Sequence, residues 1–105
     1  KQSIESARYM CEINTSHVTF TSESTRQQYM EGHHAIPIHK QNSFQNSLDV
    51  YANIICLCPI CHRLLHHGLK EDKANVLNQI YDERITRLEH SGIRISKREF
   101  VEIAI

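Results

Sequence analysis

The sequence predicts an α+β fold in which two short strands precede a series of helices. The front of the chain holds two runs of aromatic and β-branched residues separated by a polar stretch, whereas apolar residues behind Leu69 recur at helical spacing among charged ones. At 105 residues the chain has the length of a single domain. We therefore expect one domain over residues 1–105, with a front portion over about 9–68 and C-terminal helices over 69–105.

The front portion is predicted to form a strand, a loop and a second strand. The segment "YMEGHHAIPI", Tyr29–Ile38, is predicted as an irregular strand, because Pro37 cannot donate to a sheet. The next segment, "HKQNSFQNSLD" over residues 39–49, is rich in Asn and Ser, which favour turns, so it is predicted as a loop. Strand composition resumes in "VYANIICLC" over residues 50–58.

Three helices are predicted after the second strand. Pro59 is suited to the first turn of a helix over "PICHRLLHH", and Gly68 supplies its end. Ser96 followed by Glu99 forms a capping box for a short terminal helix. Between them lies an amphipathic helix, ending near Gly92, whose apolar face is formed by Val76, Leu77, Ile80, Ile85 and Leu88.

Composition narrows the functional classes. The 12 Lys and Arg residues balance 12 Asp and Glu residues, so the chain lacks the broad basic surface that binds nucleic acid by charge alone, and any DNA contact should be local. The sequence has no apolar run of the roughly 20 residues that span a membrane. Since it starts at Lys1 without a charged leader, we expect a fragment of a longer protein rather than a secreted precursor.

The cysteines indicate a metal site. Cys58 and Cys61 form a C-x-x-C pair at the start of a predicted helix, where backbone N–H groups stabilise thiolates. A closed tetrahedral zinc site needs two more ligands, for which Cys11 and His17 are the best placed. The alternative is that Cys11 is a buried apolar residue and His17 a surface one. Cys56, in the apolar run "IICL", is expected to fill the core. Clustered cysteines beside histidines favour a metal over disulfides, and hence a reducing, cytoplasmic setting.

A second metal site is predicted on the same helix. His62 and His66 lie four residues apart, so both imidazoles share one face. Because successive helical residues point about 100° apart, Cys61 would face the zinc while His62 faces elsewhere. One short helix would then present two metal-binding surfaces.

The motifs "YMEGHH", Asn53 and "LCPICHRLLH" together resemble the HNH nuclease motif, in the version with a zinc knuckle found in restriction endonucleases. The resemblance covers roughly Tyr9 to Gly68. It implies a ββα-metal finger, which agrees with the predicted order of two strands and a helix. The front portion would thus be the finger and the zinc core.

The resemblance also implies roles for individual residues. His34 would be the general base that activates water, Asn53 the residue that orients the finger loop and the base, and His62 a ligand of the catalytic metal. His33 and His66 match additional metal-binding histidines of colicin-type DNases in the same superfamily. Imidazole accepts protons near neutral pH, and a divalent ion stabilises charge on a phosphate, so this set suits phosphodiester hydrolysis.

The sequence departs from the family pattern at the zinc knuckle. Many relatives have a second Cys in the first half of the knuckle, where this chain has Asn14, which is why His17 is the proposed ligand. Glu31 would support a metal ligand through a hydrogen bond, although an exposed carboxylate is an equal alternative. Arg63, Lys40 and Arg26 are candidates for phosphate contacts, against the alternative of ordinary surface charges.

Two neighbouring histidines pose a geometric difficulty. His33 and His34 would face opposite sides of a regular strand, so we expect a distortion near Gly32 and Pro37 that brings both to one groove. The remaining histidines are expected to be solvated and receive no role: His39, His67 and His90. His67 is the alternative ligand if His66 points away from the metal.

These observations predict a metal-dependent DNA endonuclease, the cleavage domain of a restriction-type enzyme, with a structural Zn²⁺ and one catalytic divalent ion (Mg²⁺, Mn²⁺, Ni²⁺ or Zn²⁺). A separate recognition domain or a homodimer would supply the DNA affinity that the neutral composition lacks. The main alternative is a non-catalytic zinc-stabilised module that binds DNA or protein. A zinc hydrolase for small substrates ranks last, because the short chain offers little material for an enclosed pocket.

Overall fold

The computed structural model describes residues 2–105. Within these residues, four α-helices and two 3-10 turns accompany one antiparallel sheet of two strands, which confirms the predicted α+β fold and the order of strand, strand and helix in the front portion. In chain order the elements are α1 (Gln2–Ser6), β1 (Glu31–His34), β2 (Ile54–Leu57), α2 (Pro59–His67), α3 (Lys70–His90) and α4 (Lys97–Ala104).

The first strand is shorter than predicted. Strand pairing covers Glu31–His34 instead of Tyr29–Ile38, in a regular register that sets Glu31 opposite Leu57 and His34 opposite Ile54. The ladder ends after His34 because the N–H groups of Ala35 and Ile36 both donate to Asn53. Pro37 then has no N–H that could continue the ladder.

The second strand and the loop also differ from expectation. The strand covers Ile54–Leu57 rather than residues 50–58, since Tyr51–Asn53 forms a 3-10 turn. The predicted loop over residues 39–49 overlaps a longer 3-10 turn, Ile38–Ser43, because polar side chains there bond to nearby backbone groups. Helix α1 was not predicted, as its five residues carry no periodic signal.

The helix ends follow the sequence signals. Helix α2 covers the predicted segment, and Gly68 is required at its end because a Cβ there would lie 2.7 Å from the carbonyl oxygen of Leu64. Helix α3 ends at His90, shortly before Gly92, whose φ of +81° favours glycine. The capping box of Ser96 and Glu99 is present at the start of α4.

One apolar core joins the front portion to the C-terminal helices. It is formed by buried apolar side chains from the sheet and from helices α2, α3 and α4, among them Ile55, Leu65, Leu77 and Phe100. A buried ion pair reinforces the junction: the Arg84 guanidinium on α3 donates to both carboxylate oxygens of Glu12 at 2.8 Å. The loop that follows Cys11 is thereby fixed to the longest helix.

Candidate metal centres and active site

Cys11, His17, Cys58 and Cys61 converge on one point. One ligand atom from each of the four lies within 4.8 Å of all the others, and the three cysteines are buried. The structure therefore brings together the set that the sequence predicted for zinc. Cys56 is completely buried and stays outside this cluster, as expected of a core residue.

The spacing of the cluster suits zinc. The Nδ1 atom of His17 lies 3.4 Å from the sulfur of Cys61 and 3.6 Å from that of Cys58. A tetrahedral ion with Zn–S bonds of about 2.3 Å and Zn–N bonds of about 2.0 Å separates sulfur from nitrogen by about 3.5 Å. Three sulfurs and one imidazole form the donor set of a structural zinc site, and these four residues would hold the ion.

Local backbone features form the knuckle. Asn14 accepts hydrogen bonds on its side chain from the N–H and the hydroxyl of Ser16. Its carbonyl accepts from the N–H of His17, so a tight turn carries the histidine back toward the sulfurs. On the other side, the sulfur of Cys58 caps α2 by accepting from the N–H of Cys61 at 3.4 Å.

Electrostatics favour a cation at this site. Burial raises the pKa of Cys11, but hydrogen bonds from the backbone of Cys58 and of the knuckle loop outweigh burial and lower that pKa to about 7. Burial, together with the neighbouring thiols, raises the pKa of Cys61. Three ionised sulfurs this close would repel each other in a buried setting, so positive charge is needed to hold all of them as thiolates.

A second cluster contains only histidines. His33 from β1 and His62 and His66 from α2 each offer a ring nitrogen within 4.8 Å of the others. Their ring centroids lie 5.0–5.3 Å apart, with each pair tilted or edge-on rather than stacked. We call these three residues the histidine triad.

The geometry of the triad also suits a metal ion. The Nε2 atoms of His62 and His66 are 3.3 Å apart, and a tetrahedral ion with metal–nitrogen bonds of about 2.0–2.1 Å separates two nitrogens by about 3.3 Å. Burial, together with the charge that the neighbouring histidines can carry, lowers the pKa of His33 to about 4, so His33 is neutral at physiological pH with a lone pair available.

Glu31 fixes the orientation of one triad member. Its Oε1 lies 2.8 Å from Nδ1 of His62, and its Oε2 accepts a hydrogen bond from the Tyr29 hydroxyl at 2.7 Å. These hydrogen bonds, that of His62 first, lower the pKa of Glu31. An ionised carboxylate only accepts, so Nδ1 of His62 carries the proton and Nε2 faces the triad with its lone pair. Arg63, on the same helix, is exposed.

His34 pairs with Asp49, for which the sequence predicted no role. Its Nε2 lies 3.0 Å from Oδ1 of Asp49, in the loop before β2. The predicted distortion near Gly32 is absent, because β1 pairs regularly through its last residue. His33 lies against the histidines of α2 and His34 against Asp49, yet both border one groove without such a distortion.

One open groove of about 860 Å³ joins these parts. All of His33, His34, His62 and His66 border it, and we call it the histidine groove. Lys40 and Lys73 contribute positive charge to its walls, and Glu102, at the end of α4, contributes negative charge.

Asn53 lies behind the groove rather than in it. It is fully buried, and its side-chain amide donates to the carbonyls of Ile36 at 3.0 Å and Leu48 at 2.9 Å while its oxygen accepts from the N–H of Ile36 at 2.8 Å. Asn53 thus joins the segment just after His34 to the segment just before Asp49. Its burial excludes contact with a substrate.

Little in the sequence indicated the roles of Asp49 and of the Glu12–Arg84 pair. Asp49 is the sole acidic residue between Glu31 and Glu71, which could have marked it as a partner for a histidine. The pairing of Glu12 with Arg84, 72 positions away, had no local signal.

The comparison with family models gives an independent result. The family model described as HNH endonuclease matches residues 11–75, which include both metal-binding clusters and the start of α3. A comparison with curated proteins found no match. No helix within residues 2–105 is long and apolar enough to cross a membrane. With a family match over more than half of its length, and with the zinc knuckle and the two-strand, one-helix core in place, the chain belongs to the HNH endonuclease family.

Proposed function

We propose that this domain hydrolyses phosphodiester bonds of DNA, with His34 as general base and a divalent ion held by the histidine triad. The observation that carries the proposal is the shared groove: His34 and all three members of the triad border one open depression. A base and a metal site that face the same phosphate are what metal-assisted hydrolysis needs.

The pairing of His34 with Asp49 defines the reactive nitrogen. An ionised carboxylate accepts a hydrogen bond, so Nε2 of His34 donates to Asp49 and Nδ1 keeps the lone pair. We assign proton removal from the attacking water to Nδ1. Asp49 holds the ring in this tautomer and stabilises the positive charge that forms on it.

The triad would hold the catalytic ion through Nε2 of His62 and one nitrogen each of His33 and His66. When bound, a divalent ion supplies charge stabilisation at the phosphate and at the leaving oxygen. The chain contributes the neutral state of His33 and the orientation of His62 by Glu31. Lys40 and Lys73 are placed to attract the flanking phosphates.

The zinc knuckle would brace this centre. Cys61 and His62 are neighbours on α2, so the helix that the zinc anchors also carries two members of the triad. Asn53 would orient His34 from behind, through its bonds to both segments that flank the His34–Asp49 pair.

We further propose a restriction-type role, with DNA recognition supplied by a separate domain or by a second copy of the chain. The balanced charge supports this, because 12 basic and 12 acidic residues offer little general attraction for DNA. Lys40 and Lys73 would act locally at the groove, leaving sequence selection to other parts.

Cleavage of supercoiled plasmid and of single-stranded DNA tests the function. The zinc-loaded protein is assayed with Mg²⁺, Mn²⁺ or Ni²⁺ beside His34→Ala, with His90→Ala as a matched control, since His90 is an exposed histidine at the far end of α3. We expect cleavage that requires the added ion, falls by about 10²-fold or more in His34→Ala, and is unchanged in His90→Ala.

Equal cleavage by His34→Ala and the parent protein would refute His34 as the base. DNA binding without cleavage under all ions, with full zinc content, would favour the non-catalytic zinc module.

A further inference from the structure

We propose that Tyr29 is a positioning residue for the catalytic metal centre, acting on His62 through Glu31. The inference rests on the proposed function, since it takes the histidine triad as a metal site. Tyr29 touches neither the triad nor the zinc cluster within the described contacts. Its influence would pass through two consecutive hydrogen bonds.

The contacts form a continuous chain. The Tyr29 hydroxyl donates to Oε2 of Glu31 at 2.7 Å, and Oε1 of the same carboxylate accepts from Nδ1 of His62 at 2.8 Å. Both bonds are short, and both use the charged carboxylate, which makes them stronger than neutral ones. The opposite nitrogen of His62, Nε2, faces His66 at 3.3 Å.

Glu31 needs this support because water reaches it. The side chain of Glu31 is 29% exposed and that of His62 is 22% exposed, so solvent competes for the carboxylate. A free glutamate side chain has several rotamers, and only a few place Oε1 in line with Nδ1 of His62. The phenol occupies Oε2 and leaves Oε1 aimed at the imidazole.

Tyr29 is itself held in place before any ion arrives. Its ring stacks on Phe20 with centroids 5.0 Å apart and planes 9° apart. Its backbone N–H donates to the carbonyl of Phe20 at 2.8 Å, and the hydroxyl of Thr19 donates to the carbonyl of Tyr29 at 2.7 Å. An anchored phenol is what restricts a mobile carboxylate at low entropic cost.

Two effects of the phenol on metal affinity oppose each other. Its hydrogen bond withdraws charge from Glu31, which weakens the hydrogen bond between the carboxylate and Nδ1 of His62. The same hydrogen bond also holds the carboxylate in the orientation that points Oε1 at His62. We expect orientation to prevail, because the carboxylate is partly solvated and its charge is already screened by water. Loss of the hydroxyl should therefore weaken metal binding by about three- to tenfold, the range set by one hydrogen bond.

The test measures Co²⁺ binding to the zinc-loaded protein by its visible absorption bands, without reference to cleavage. Tyr29→Phe removes the hydroxyl and keeps the stack on Phe20, and Tyr51→Phe is the matched control, because Tyr51 lies outside the histidine groove. Glu31→Gln and the double variant Tyr29→Phe/Glu31→Gln complete a cycle. Zinc content reports on folding of each variant.

The expected result is weaker Co²⁺ binding by Tyr29→Phe, no change in Tyr51→Phe, and no further loss when Tyr29→Phe is added to Glu31→Gln. Affinity of Tyr29→Phe within twofold of the parent protein would overturn the proposal, as would an equal loss in the Glu31→Gln background. Absence of Co²⁺ binding by the parent protein would overturn it too, and would show that the failure lies in the metal centre of the proposed function rather than in Tyr29.

Discussion

Replacement of Asn53 should separate its structural role from the chemistry of the groove. The Asn53 amide makes three hydrogen bonds, at 2.8, 2.9 and 3.0 Å, in a site with no solvent exposure. Asn53→Ala removes all three and leaves an N–H and two carbonyls buried beside a small void. At about 1 kcal/mol for each bond, with a further penalty for the unpaired groups, we expect a loss of about 3–5 kcal/mol in the free energy of unfolding.

Asn53→Asp makes a sharper test, because the new side chain has nearly the same shape. One oxygen still accepts from the N–H of Ile36, but the other would stand about 3 Å from the carbonyl oxygens of Ile36 and Leu48. Repulsion and burial both raise the folded-state pKa of this carboxyl above the unfolded value. The unfolded chain then ionises first, so the destabilisation is smallest in acid and grows with pH up to the raised pKa.

The assay is urea unfolding of zinc-loaded protein, followed by far-ultraviolet circular dichroism, at several pH values between about 5.5 and 8. The deficit of Asn53→Asp should increase by up to about 1.4 kcal/mol per pH unit below the raised pKa, whereas that of Asn53→Ala should stay constant. Asn42→Ala, at an exposed site in the 3-10 turn Ile38–Ser43, is the control and should cost less than about 0.5 kcal/mol. A deficit below about 1 kcal/mol for Asn53→Ala, or one independent of pH for Asn53→Asp, would refute the reasoning.

Four other side chains give predictions that separate measurements can check. Glu12→Gln leaves the buried Arg84 guanidinium without a charged partner and should lower the free energy of unfolding in urea by about 3 kcal/mol or more. Cys58→Ser should abolish stoichiometric zinc binding and the folded circular dichroism spectrum, whereas Cys56→Ala should retain zinc, as measured by metal analysis. Asp49→Asn should slow plasmid cleavage by about fivefold at saturating metal, because an exposed pair contributes about 1 kcal/mol. His33→Gln should reduce the loss of stability on acidification by roughly 2 kcal/mol, because the low pKa of His33 lets the unfolded chain take up a proton first between pH 6.5 and about 4.

Each of these has an outcome that contradicts it. Unchanged unfolding of Glu12→Gln would show that the guanidinium finds other partners. Zinc retention by Cys58→Ser would remove that sulfur from the ligand set. Full activity of Asp49→Asn would mean that His34 needs no carboxylate partner, and parallel acid curves for His33→Gln and the parent protein would show that His33 is solvated in the folded chain.

The local signals in the sequence were enough for helix α2 and for both clusters. Pro59 and Gly68 are chemical boundary markers, and the four-residue spacing of His62 and His66 depends only on helix geometry, so these features need no knowledge of the rest of the chain. The position of His17 was also predictable, because a pair of thiolates requires further ligands.

The strand bounds and the long-range partners were not predictable in this way. Strand-like composition extends over residues 50–58, but only the residues opposite β1 can join the ladder. Strand β1 ends at His34, shortly before Pro37. Asp49 and Glu12 acquire their roles from residues 15 and 72 positions away, at distances that only the folded chain makes short.

The adjacency of Cys61 and His62 limits how this helix can change in length. Insertion of one residue between them would rotate everything beyond that point by about 100° about the helix axis, so the zinc ligand and the triad could not both reach their metals. Substitutions on the exposed face, at Ile60 or Arg63, do not change the angle between Cys61 and His62 about the helix axis. Helix α2 can therefore vary in its exposed side chains, whereas Cys61 and His62 must remain adjacent.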